Sequence, residues 1–188
     1  MNTLHTLLES PAFKADFERL GSVALDPSRH SSSHARAHSE AVARRARELA
    51  LLNGLGDADA DLLEAAGLVH DIGKIGGTTS AAASVERLPS YGIDDRRLLQ
   101  LVRYHDVNLP WFLACEKGRG DRPGEKAWRK LVARAAPTLL VPFMVADRVD
   151  CLGGWRANEP LVWFIEALRK RGLLPHGLVF DAAEETAS

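Results

Sequence analysis

An all-α helical bundle is the fold class this sequence predicts, on three observations. Alanine, leucine and arginine dominate the 188 residues, and strand-like alternation of Val, Ile and Thr is almost absent. Apolar residues recur three and four positions apart, which lines one face of a helix. Hydrophobic residues make up 46% of the chain and charged residues 26%, as in a folded domain with a sizeable core. A single domain is expected, because neither an internal repeat nor a linker interrupts the chain.

A first helix is expected over 3–20, ended by Gly21, then an irregular stretch from Pro27 to Ser33. Serines 31–33 offer N-cap oxygens for a helix from His34 to about Leu52. Asn53-Gly54 supplies the left-handed residue that closes it. His38, Ala41, Val42, Leu49 and Leu52 share one face of this helix, so His38 looks toward the core.

Asp57 or Asp59 caps the next helix, which runs through LLEAAGLVHDI to about Lys74. Leu63, Ala66 and His70 follow i, i+3, i+7 spacing, which again turns an imidazole inward. Gly73, Gly76 and Gly77 then break the pattern and leave Lys74 on a flexible exit. Further helices are expected at 80–89, 94–105, 124–135, 137–152 and 160–171, with an exposed loop at 118–124 and a frayed acidic tail over 181–188.

Composition excludes several classes. A formal net charge of −1 gives no global attraction to nucleic acid or membranes. The two cysteines, Cys115 and Cys151, lack C-x-x-C spacing, so neither a disulfide framework nor a cysteine zinc site is indicated. No secretion signal is visible at the N-terminus, and the longest apolar run, 139–146, is too short to span a bilayer. A protein of the reducing cytoplasm is the expectation. Neither a phosphate-binding glycine loop nor a G-x-S-x-G nucleophile turn is present.

The chemistry concentrates in ionisable residues inside apolar stretches: His70-Asp71 in LVHDIGK, His38 in HSEAVARRA and Asp147 in LLVPFMVADRVD. Burying such groups is costly unless something pairs with them. Two imidazoles and two carboxylates on inward faces suggest one shared partner, and a divalent metal is the simplest candidate. The donor set suits Mn, Fe, Co, Ni or Zn and tolerates Mg. Asp150 and Arg148 near Asp147 offer a competing local salt bridge. The segment from Lys117 to Arg134 is rich in basic residues, with Trp111 and Trp128 nearby. That combination can hold phosphates and stack bases, although a solvated helix and loop is its commoner meaning.

The order H…HD…D resembles the HD superfamily of metal-dependent phosphohydrolases. Its first histidine is read here in His38-Ser39-Glu40-Ala41-Val42-Ala43, its doublet as H-D-I-G-K at 70–74, and its last aspartate as Ala146-Asp147. The resemblance covers roughly 34–152. Within it, the wording from Ser80-Ala81 through LVRYHD to LLVPFMVADRVD looks like the HD domain attached to bacterial CCA-adding enzymes.

The resemblance implies a helical bundle of the HD type with a metal site between core helices, formed by His38, His70, Asp71 and Asp147. It implies hydrolysis of a phosphomonoester or phosphodiester, of a nucleotide or a phosphorylated RNA end, with Asp71 orienting water and Lys74 stabilising phosphoryl charge. Arg103, His105, Arg148 and His34 are the expected substrate contacts, and His30 in the preceding loop could join them. Binuclear relatives and di-iron oxygenases of this fold add two histidines between the doublet and the last aspartate. Only His105 stands there in this chain, which disfavours oxygenase chemistry. A non-catalytic, metal-containing nucleotide-binding module is the other alternative.

Overall fold

The computed structural model describes residues 2–117 and 123–181, and among these the chain forms ten α-helices and no strand. The all-α expectation holds. The expected N-terminal helix is two, α1 (Thr3–Glu9) and α2 (Pro11–Leu20), because Ser10 precedes a proline and takes an extended conformation with ψ 116°. Its hydroxyl caps α2 by accepting from the Phe13 N–H.

Helix α3 (Ala35–Leu52) is capped by His34 rather than by serines 31–33: the His34 Nδ1 accepts from the Ala37 N–H at 3.2 Å. The serines are carried past the cap because the chain before α3 folds back on itself, with the Leu25 N–H bonded to Ser33 O and the Ala35 N–H to Val23 O. Gly54 closes the far end at φ 67°, as expected.

Helix α4 (Asp57–Val69) starts after Gly56 with no side-chain cap; Asp57 and Asp59 lie inside its first turn, where their charge suits the helix dipole. It ends at Val69 instead of near Lys74. Asp71 leaves the helical path at φ −106°, ψ 8°, and a tighter 3-10 turn, Ile72–Gly76, follows. Lys74 is therefore held within a turn, not on a loose exit.

The rest comprises α5 (Ala81–Arg87) with a 3-10 turn at Leu88–Tyr91, α6 (Arg96–Tyr104), α7 (Asn108–Glu116), α8 (Glu125–Val132), α9 (Pro137–Ala146) and α10 (Glu159–Lys170). Helix α7 is not among the helices expected from the sequence. Pro110 is the third helical residue, a position whose N–H has no intrahelical partner to lose. Helix α9 stops at Ala146, six residues before its expected end at 152, with Asp147 as its cap. Of the expected loop at 118–124 and tail at 181–188, residues 118–122 and 182–188 lie outside the described residues.

Helices α3 and α4 pack most extensively, and α9 packs against both. The approach of α3 to α4 is close enough that a Cβ on Gly67 would lie 2.4 Å from Ala43 Cα. Glycine is required there by space. Helix α9 is buried on every side from Leu139 to Ala146 and forms the centre of the core. No described helix is long and apolar enough to cross a membrane.

Candidate metal centre

Three helix ends meet at one place. His70 caps the C-terminus of α4, His105 that of α6 and Asp147 that of α9. His38 enters from the first turns of α3. A helix C-terminus carries partial negative charge from its unpaired carbonyls, so three of them bias this region toward a cation. His38, His70, Asp71, His105 and Asp147 are all buried.

The ligating atoms converge. Nε2 of His38 lies 3.2 Å from Asp147 Oδ1, and Nε2 of His70 lies 3.1 Å from the same oxygen. Asp71 Oδ2 is 3.4 Å from His70 Nε2 and 3.8 Å from His38 Nε2. Donors about 2.1 Å from a shared ion are separated by roughly 3.0 Å at right angles and 3.4 Å at tetrahedral angles. These spacings fit such an ion. The two Nε2 atoms also face each other at 3.3 Å, where only one could donate to the other. A cation between them satisfies both.

The opposite ring nitrogens are committed elsewhere. The His70 Nδ1–H donates to Gly67 O at 2.9 Å, and the His105 Nδ1–H donates to Val102 O at 2.7 Å. The His38 Nδ1–H donates to Asp150 Oδ1 at 2.9 Å. With Nδ1 carrying the hydrogen in each ring, Nε2 is the nitrogen a metal can take; in His38 and His70 it would replace the proton shared with Asp147.

Electrostatics point the same way. Burial opposes charge on His70, but Asp71 and Asp147 outweigh it and lift its pKa to about 10. His38 is likewise raised: burial opposes, and the hydrogen bonds to Asp147 and Asp150 prevail. Burial would raise Asp71 too, yet His70 and Lys74 hold it well below the usual carboxylate range. Asp147 is lowered against the same burial, chiefly by Arg148 and then by His38 and His70. Positive charge is what this cluster demands; protons supply it when no ion does.

The centre opens into a cavity of about 360 Å³. Lys74, Arg148 and His105 line it, and so do Arg29, His30 and Asp106. The Lys74 ammonium bonds Asp71 Oδ2, and Arg148 Nη1 lies 3.1 Å from Asp147 Oδ2. The other two expected contacts lie apart from this wall. His34 spends its Nδ1 on the α3 cap, and Arg103 is exposed on the last turn of α6. Sequence reasoning gave no role in the site to Arg29 and treated Asp150 only as a rival partner. The D-x-x-D spacing from Asp147 to Asp150 was the available signal for the latter.

The family described as HD domain matches residues 36–152, more than half of the chain. No curated protein and no solved structure matches it.

Proposed function

Because the chain belongs to the HD domain family, we propose that it is a metal-dependent phosphohydrolase in which His38, His70, Asp71 and Asp147 hold a divalent ion. The observation that carries this reading is that buried His38, His70 and Asp71 form one group able to hold an ion, with Asp147 Oδ1 against both imidazoles and Nε2 rather than Nδ1 turned to the shared point in both histidines. A divalent ion bound there supplies Lewis acidity, which acidifies water and neutralises phosphoryl charge.

The side chains do the rest. Asp71 lines the cavity with its Oδ2 against Lys74, which puts its carboxylate where it can accept from a water and orient it. Lys74 transfers its charge from Asp71 to a phosphoryl oxygen when substrate enters, and Arg148 does so from its place beside Asp147. Arg29 adds a third fixed cation at the rim. Such a wall suits a compact phosphate ester, a nucleotide or a phosphorylated RNA end, held by its phosphate rather than by its base.

The test is a metal-supplemented assay of chelator-stripped protein against nucleotides, cyclic nucleotides and phosphorylated RNA ends. Turnover that requires added metal and vanishes in Asp147→Ala supports the proposal. Stoichiometric metal uptake without turnover on any of these substrates would make the protein a binding module instead.

A further inference from the structure

The loop before α3 is zipped onto the chain after α9. The Ser31 N–H donates to Asp150 O at 2.9 Å, the Leu152 N–H donates to Arg29 O at 3.2 Å, and His30 and Cys151 form an isolated antiparallel bridge. This pairing fixes His30 opposite Asp150 across about 120 residues of sequence. The Asp150 Oδ1 that accepts from His38 Nδ1–H at 2.9 Å also accepts from His30 Nδ1–H at 3.3 Å. One carboxylate oxygen thus anchors two imidazoles, whose rings stand edge to face at 5.3 Å.

The two imidazoles serve different places. His38 turns its Nε2 to the donor cluster. His30 lines the cavity beside Arg29, and its Nδ1 is occupied by Asp150 with Cys151 Sγ at 3.8 Å, so Nε2 is the nitrogen it has left to offer. His30 also lies upstream of residues 36–152, the span matched by the family.

We propose that Asp150 is a positioning residue with two outputs: it holds His38 with Nε2 bare for the metal, and it holds His30 with Nε2 bare to accept from the O–H of a protonated phosphate in the cavity. The phosphate half rests on the phosphohydrolase reading above; the tautomer half does not. Supporting carboxylates behind a metal-bound imidazole change metal affinity by about 10–100-fold.

The experiment uses full-length protein loaded with diamagnetic Zn²⁺. Long-range nitrogen–proton NMR of the imidazoles should find His30 and His38 with the hydrogen on Nδ1. Asp150→Ala should release His30 from that tautomer and weaken Zn²⁺ binding about 10–100-fold, and Asp150→Asn, which keeps an acceptor oxygen, should restore part of the affinity. His30→Ala should leave Zn²⁺ affinity near wild type. The variants keep the backbone pairing of 29–31 with 150–152, and unchanged helical circular dichroism checks the fold.

Inorganic phosphate added to the Zn²⁺ form should shift the His30 ring nitrogens and leave those of His5, on α1, unmoved. A wild-type His30 with its hydrogen on Nε2, or wild-type Zn²⁺ affinity in Asp150→Ala, overturns the positioning role. A silent His30 on phosphate addition overturns the substrate contact. Absence of phosphohydrolase turnover in wild type would instead count against the proposed function, with the tautomer and affinity results standing independently.

Discussion

The donor cluster and the aromatic end of the bundle are both buried, yet they are held by opposite means. At the α7–α8–α10 end, Trp128 is fully buried between Trp111, at a ring distance of 4.7 Å, and Phe164, at 5.4 Å. Its one polar atom is satisfied, since Nε1–H donates to Pro123 O at 3.1 Å. That region is stable by area and shape. At the α3–α4–α9 end, two histidines and two aspartates are as deeply buried and gain stability only while the charge among them balances. The first region rests on packing, with one guanidinium, Arg171, over the Trp128 ring; the second is a folded arrangement with a chemical condition attached.

The sharpest way to break this contrast is to remove one donor. Asp147→Ala should abolish metal-dependent turnover and metal retention together, read by elemental analysis and by phosphate release. A variant that kept its metal would remove Asp147 from the ligand set. Trp128→Ala should destabilise the protein by about 3–5 kcal/mol through the cavity it leaves, with the same loss in denaturant melts with and without metal. A loss that depended on metal would join the two regions that the contrast separates.

Lys74→Ala comes next. Metal content should stay at wild-type level while turnover falls about 10- to 1,000-fold, the range for one lost contact to developing charge. Unchanged turnover would make Lys74 a partner of Asp71 alone.

The last test is in pH. His70 has its pKa raised to about 10, against about 6.5 in an unfolded chain. Its contribution to metal-free stability is complete below pH 6.5 and is lost as pH rises through about 10. The depressed carboxylates act in the other direction, contributing above about pH 4 and losing it as pH falls. Metal-free melting temperature should therefore decline from pH 6.5 to 10, while the gain on adding metal grows over the same range because protons compete less. A gain that did not change with pH would mean that metal displaces no proton from His70.

Much of the bundle was legible because helical periodicity is local. The inward faces of His38 and His70 follow from apolar residues a few positions away, and Asp147 stood out as a carboxylate in a helix apolar all round. What the sequence hid was long-range or subtle. Propensity favours running α4 on to Lys74 and α9 on to 152, yet both stop at the site, where the cap residues His70 and Asp147 meet side chains far away in sequence. The Asp150 contacts to His38 and His30 span more than a hundred residues, and no local rule reports them. Helix α7 was missed as well, and its Pro110 sits in the first turn, where a proline costs the helix no hydrogen bond.

The bare Cα of Gly67 acts as a caliper. It lets α4 lie against Ala43 of α3, and its carbonyl also orients the His70 ring. The gap between the His38 and His70 nitrogens is thereby set by a hydrogen where other residues carry a methyl. A methyl there would stand 2.4 Å from Ala43 Cα, so the helices would part by more than the few tenths of an ångström that separate a transition-metal bond from a calcium bond. The spacing of two imidazole nitrogens thus rests on a residue with no side chain at all.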